Sequence, residues 1–247
     1  CVRPGLPGEA GSANSPGHTL MLFDTPLSVV ANTAGVVRFH RDAATEGRDG
    51  VFNWSAVRNL KAGSISRASW DYRQGGMTTE QAPTIMQQGR AGDQFAFSLD
   101  DYQIEAPHIA DDSSDYRALG ELRIQRQEFE AKCFYGESGV RDLCVGQWFS
   151  LEGHPEIDTH PRSEREFVVT ELSLTAENNL PKDVDERAQR LFAASGWDRL
   201  LPAALEQASE ARGVKYTNRF ACVRRGVPIV PAYDARTDVP SLRLQAE

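Results

Sequence analysis

The sequence is short of the features that usually announce a chemistry. Its four cysteines, Cys1, Cys133, Cys144 and Cys222, form no CxxC pair, which removes the zinc ribbon and the dithiol redox motif. They read as unpaired thiols, with a Cys133–Cys144 bridge as the alternative. No apolar run reaches the roughly 18 residues of a membrane-spanning helix. Positive charge is in deficit: 27 Lys and Arg stand against 35 Asp and Glu, a formal net charge of −8. Without a basic surplus, nucleic acid is not the expected partner. No Gly-x-Ser-x-Gly surrounds Ser64, Ser66 or Ser69, so there is no nucleophile elbow. Gly89-Arg90-Ala91-Gly92 lacks the Lys-Ser/Thr ending and the following helix of a phosphate loop. An initiator Met and a signal peptide are also missing, and Cys1-Val2-Arg3-Pro4 reads as a cut inside a longer chain.

What remains is an ordinary globular composition, 40% hydrophobic and 25% charged over 247 residues, enough for one large or two medium domains. The most informative stretch is Arg162 to Asn179. After a charged turn it runs as a β segment with Phe167, Val169, Glu171, Ser173 and Thr175 on one side. Val168, Thr170, Leu172, Leu174 and Ala176 lie on the other. Apolar residues on both faces near the start predict burial on two sides there, and the length predicts a bend midway.

Further strands are expected over His18–Phe23, Val36–Phe39, Val51–Trp54, Asn59–Arg73, Leu143–Leu151 and Tyr216–Val223. In Asn59–Arg73 the alternation places Ser66, Arg67, Ser69 and Asp71 on a solvated face. Phe95, Phe97 and Leu99 alternate and predict a strand over Gln94–Glu105, with Asp100-Asp101 as a bulge or turn. The clearest helix is expected over Tyr116–Phe134, with Leu119, Leu122, Phe129 and Cys133 as its apolar stripe and Asp111, Asp112 and Asp115 at its N-terminus. Gly136 and Gly139 are its stop signals. A second helical excursion is expected between Lys182 and Gly213. Val227-Pro-Ile-Val-Pro231 reads as an extended connector. The fold class is mainly β or α+β, not a βαβ repeat.

Candidate chemistry is thin. His154 and His160, with Glu156 and Asp158 between them, could hold a divalent metal, and a metal-dependent hydrolase using His154 and His160 is the alternative reading from a different functional class. No helical HxxxH frame orients the rings, and a polar loop shaped by Pro155 and Pro161 accounts for the same residues. Asp100-Asp101 and Asp111-Asp112 are acid pairs in polar surroundings, better suited to surface charge than to acid–base work. The residues identify no catalytic, cofactor-binding or metal site.

Several segments in order carry a resemblance. They are His18-Thr-Leu-Met-Leu-Phe-Asp24, Asp101-Tyr102 with Pro107, Phe134-Tyr-Gly-Glu-Ser138, and Val145-Gly-Gln-Trp-Phe-Ser-Leu-Glu-Gly-His-Pro155. Arg165-Glu-Phe-Val-Val-Thr-Glu171, Asn178-Asn179, Tyr216-Thr-Asn-Arg-Phe220 and Val227-Pro-Ile-Val-Pro231 follow. Together they resemble the VgrG spike proteins of type VI secretion systems, in the part similar to a bacteriophage tail hub, over roughly residues 18 to 245. The resemblance implies β-barrel modules and a homotrimer seated on a tube of Hcp protein. Effector or spike-tip proteins would join through an absent C-terminal part. It implies no catalytic residue and no cofactor, assembly in the bacterial cytoplasm and then secretion. A tail hub of a contractile phage or prophage is the second setting with the same fold. The layout expected is 1–57 as the remainder of a first hub module with a Gly/Ser-rich lead-in, 58–180 as a hub barrel module, 181–213 as a helical insertion, and 214–247 as returning strands and a connector to an absent neck and spike. The insertion and the lead-in are where the sequence departs from the family pattern.

Overall fold

A computed structural model describes residues 2–4, 18–20, 22–41, 49–87, 89–176, 187, 190, 191 and 216–233. The Gly/Ser-rich lead-in, nearly all of the expected helical excursion and the last fourteen residues lie outside them. In chain order the described elements are β1 (Val2–Pro4), β2 (His18–Leu20), β3 (Ala31–Arg38), β4 (Val51–Arg58), β5 (Ser64–Asp71), β6 (Gly76–Pro83) and α1 (Arg90–Phe97). They continue with β7 (Asp100–Ile104), α2 (Ser113–Ala131), β8 (Lys132–Ser138), β9 (Trp148–Glu152), β10 (Glu166–Ala176) and β11 (Tyr216–Arg224). The described residues are mostly β, as the sequence predicts, and their named elements include two α-helices, of which α2 was expected and α1 was not. The chain divides into two compact units, 1–57 with 133–226 and 58–132 with 227–247. Residues 58–180, expected as one module, contribute to both.

The first unit is built on a six-stranded sheet in the order β3-β9-β10-β11-β8-β4. A parallel bridge between Phe39 and Val51 joins the ends of its two outermost strands, so the sheet curls back on itself. Each of the six strands sends side chains into one core: Val37, Val51, Phe134, Phe149, Leu151, Phe167, Val169, Phe220 and Cys222, together with Val140, Leu143 and Ile157 from the connections. Each fully buried chain of this size contributes about 1.5–3 kcal/mol. The rings also pack edge to face, Phe134 on Phe167 at 5.0 Å and Phe149 on Phe220 at 5.7 Å between centroids. Gly136 lies directly across from Phe220, and a Cβ there would come within 2.3 Å of the Phe220 ring. The bare backbone is what lets that ring lie flat.

β10 is the centre of this sheet, paired with β9 and β11. It is shorter than the expected Arg162–Asn179, because Arg162–Glu164 form a single 3-10 turn and 177–179 lie outside the described residues. Phe167, Val168 and Val169 are all buried, as the two apolar faces predict. The expected bend is a β-bulge: the pairing with β11 skips from Val169–Cys222 to Glu171–Ala221. The bulge also corrects the assignment of faces. The extra residue, Thr170, inverts the alternation, so Leu172 packs on the same core as Phe167 and Val169.

In the second unit β6, β5 and β7 form a three-stranded sheet, antiparallel between β5 and β6 and parallel between β5 and β7. α2 packs on one face of it. Asp112 caps α2 by accepting from the backbone N–H groups of Ser114 and Asp115, at 2.8 and 2.9 Å, the role expected of an acid at that end. Three expectations fail here. α2 ends at Ala131, and Cys133, Phe134 and Gly136 belong to β8. Its buried stripe is Tyr116, Gly120, Ile124, Glu128 and Ala131, while Leu122 is exposed. Gln94–Glu105 is not one strand: Phe95 and Phe97 lie on α1, and Asp100-Asp101 open β7. Gly89 is therefore followed by a helix after all, although the Lys-Ser/Thr of a phosphate loop is still missing from the sequence.

Candidate functional site

The structure disperses the residues that sequence reasoning singled out. His154 Nδ1 accepts from the backbone N–H groups of Glu156 and Ile157 at 3.3 and 3.4 Å, and its ring meets the Phe39 ring edge-on at 4.7 Å. His160 instead faces Glu164, with Nδ1 3.3 Å from Oε2. Asp158 receives Arg165 at 3.2 Å and the backbone N–H of Gly153 at 3.0 Å. The two imidazoles thus hold successive turns of the loop that delivers β10. Among the described residues no three of His, Cys, Asp and Glu are grouped to hold a metal ion.

The acid pairs are spent on structure as well. Asp100 Oδ1 accepts the hydroxyls of Ser64 and Ser66 at 2.6 and 3.0 Å. Asp101 accepts from Gln103 and Gln127 at 3.1 and 2.9 Å. Asp112 is the α2 cap, and the Ser114 hydroxyl and the two backbone N–H groups hold its carboxyl below the usual carboxylate range. Ser69 donates to the Ala106 carbonyl at 2.7 Å. Cys133, Cys144 and Cys222 are not joined in disulfides. Burial, and secondarily the neighbouring Cys133, push the Cys222 thiol well above its ordinary pKa, so it is a packing residue and not a nucleophile.

Sequence reasoning missed a buried charge site. Arg67, expected on a solvated face, is the largest fully buried side chain. Its Nη1 lies 3.2 Å from Glu105 Oε2, its Nη2 donates to the Tyr116 carbonyl, and its guanidinium sits 4.2 Å over the Tyr116 ring. Arg123 from α2 reaches the other Glu105 oxygen at 2.6 Å and Gln103 at 2.8 Å. Burial, then the Glu105 carboxylate, raise the Tyr116 hydroxyl above its ordinary pKa. β5 in effect exchanges its apolar and polar faces relative to the pattern. A signal existed in hindsight: Arg67, Glu105 and Arg123 are the charges that register and helix spacing bring onto one side. Two cations around one almost fully buried carboxylate, Arg67 enclosed and Arg123 about a quarter exposed, make a clamp between sheet and helix.

The curled sheet also carries a groove of about 350 Å³. Asn53 and Ser55 of β4, Tyr135 and Glu137 of β8, Arg219 of β11 and Glu171 of β10 line it. Arg219 and Glu137 pair across it at 2.8 Å.

A family model described as phage tail baseplate hub (GPD) matches residues 9–180, more than half of the chain. Among solved structures, the tail protein from Neisseria meningitidis MC58 is similar at 6% identity and a TM-score of 0.46, over 81% of this chain and 48% of that one. The 43 kDa tail protein of prophage MuSo2 from Shewanella oneidensis is similar at 9% identity and a TM-score of 0.44, over 82% and 45%. The chain spans about half the length of each. No curated protein matches it.

Proposed function

The chain belongs to the phage tail baseplate hub family, and on that premise we propose that it is a structural subunit of such a hub, acting by assembly and not by catalysis. It works as a homotrimer on the end of a tube, with the curled sheet of the first unit as the rigid body. The family match over residues 9–180, which includes strands β3 to β10, carries this reading. The dispersal of every candidate catalytic pair into caps, turns and ion pairs accords with it.

More finely, the setting is a type VI secretion system, with a VgrG-like hub seated on Hcp, assembled in the cytoplasm and expelled with its cargo. The segments from His18 to Pro231 support that choice. The second reading, a hub in a phage or prophage tail, is favoured by the family's own description. Native mass spectrometry of the purified chain with Hcp tests both levels. A trimer that binds Hcp hexamers supports the secretion setting, and a trimer indifferent to Hcp supports the phage setting. A strict monomer rejects the hub.

A further inference from the structure

The second unit buries little and exposes much. Its apolar core cluster is Ile65, Ala82 and Ile124, and its deepest side chain is the charged Arg67. On the face of its sheet turned away from α2, large apolar side chains stand open. The strand register fixes which they are. Ile65, Arg67 and Ser69 of β5 lie on the α2 side, so Ser64, Ser66, Ala68 and Trp70 lie on the other. Trp70 is directly across from Met77 of β6, Ala68 from Ile104 of β7, and Ser66 from Tyr102. Trp70 is 45% exposed, Met77 51%, Tyr102 61% and Ile104 75%. Ala68, in their midst, is buried. These residues form one contiguous patch across three strands, with Asp100 and its two serine partners at one end as a polar rim.

We propose that this open face is a contact between copies of the chain in the assembled hub. The inference rests on the trimeric reading above and adds the surface that makes the contact. Area is the first argument. A large side chain covers roughly 150–250 Å² when buried, so four of them about half open leave on the order of 400 Å² of apolar surface. That approaches the apolar share of one side of a standard interface, about 800 Å² per partner and somewhat over half non-polar. It also lies in the range where an exposed patch marks an interaction site. Composition is the second argument. Trp, Tyr and Met are enriched at interface cores and charged residues are depleted there, and no charged side chain stands among Ala68, Trp70, Met77, Tyr102 and Ile104. Another copy can cover a patch of this kind without burying an unpaired charge; in a three-fold ring such a contact is heterologous, so the covering surface lies elsewhere on the neighbouring copy.

The test compares the full chain with Ile104→Glu and Met77→Glu, each replacing an exposed side chain, and with Leu174→Glu as a control. Leu174 is equally open, 55% exposed, but lies on β10 of the other unit. Circular dichroism and the melting temperature first establish that all three variants fold. Mass photometry over a dilution series then reads assembly. The expected result is a wild-type and Leu174→Glu trimer, with dissociation of the two patch variants at concentrations at least tenfold higher. A wild-type trimer whose patch variants assemble unchanged overturns this inference alone and leaves the hub reading intact. A wild-type monomer overturns both. Equal loss of assembly in Leu174→Glu also overturns the assignment to this face.

Discussion

Replacing Glu105 by Leu would remove the carboxylate that two guanidinium groups share. Arg67 has no exposed side-chain surface and Glu105 almost none, so the remaining Arg67 cation would stay buried with only the Tyr116 carbonyl and ring as partners. Breaking a buried pair on one side costs about 3–5 kcal/mol, because the orphaned charge keeps its desolvation penalty. Against a total of about 5–15 kcal/mol for a domain, that would cripple the second unit. Arg67→Met alone costs less, since Glu105 keeps Arg123 at 2.6 Å. The double variant Arg67→Met/Glu105→Leu should cost less than Glu105→Leu alone, because no buried cation is left behind. A double-mutant cycle by urea denaturation, followed at the β5 residue Trp70 and by circular dichroism, should give a coupling of about 2 kcal/mol or more. Additive effects, or a Glu105→Leu cost under about 1 kcal/mol, would refute the clamp and return Arg67 to the surface that the sequence pattern suggests.

Four further outcomes follow from the same structure. Gly120→Ala normally stabilises a helix by about 0.5–1 kcal/mol, but here the new Cβ would come within 2.6 Å of the pinned Arg67 Nη2, so the melting temperature should fall. Phe167→Asp or Val169→Asp should each cost several kcal/mol, as an unpaired charge in a closed core does, whereas Leu174→Asp should leave the melt nearly unchanged. Lys61 and, less strongly, Arg126 hold the Glu130 carboxyl below the usual carboxylate range despite opposing burial. The sign follows: its contribution is present above that range and lost as pH falls through the lowered pKa. It amounts to a few tenths of a kcal/mol because the pair is one-third open, and NMR titration of Lys61→Met should show the carboxyl climbing back. Thiol labelling at neutral pH should spare Cys222 in the folded chain and modify it only after unfolding.

Much of the curled sheet was legible because its strands announce themselves locally. Phe167-Val168-Val169 carries apolar residues on both faces, and the length beyond them required the bulge that Thr170 supplies. The alternation rule then failed two residues later, at Leu172, since a bulge inverts faces without leaving a mark in the pattern. The Phe95 and Phe97 spacing of two mimics a strand, but the structure makes a helix of Arg90–Phe97 that buries Ala96 and leaves both rings exposed. Past Ala131 the polar Lys132 and the apolar Cys133 and Phe134 fit either period, and pairing with β11 decides for a strand. Arg67 was misplaced because a buried arginine is legible only with its partner, and Glu105 stands 38 residues away. His154 and His160 looked like ligands in sequence because spacing hides direction. The fold turns one ring to its own loop backbone and the other to Glu164.

The central proposal is that this chain acts as a structural hub subunit by assembling into a closed ring. Negative-stain electron microscopy of the purified chain mixed with tube protein tests it most directly. The account predicts particles of three-fold symmetry, each three times the 27.3 kDa of one chain, capping tube ends. Monomeric particles scattered apart from bare tube ends would contradict it.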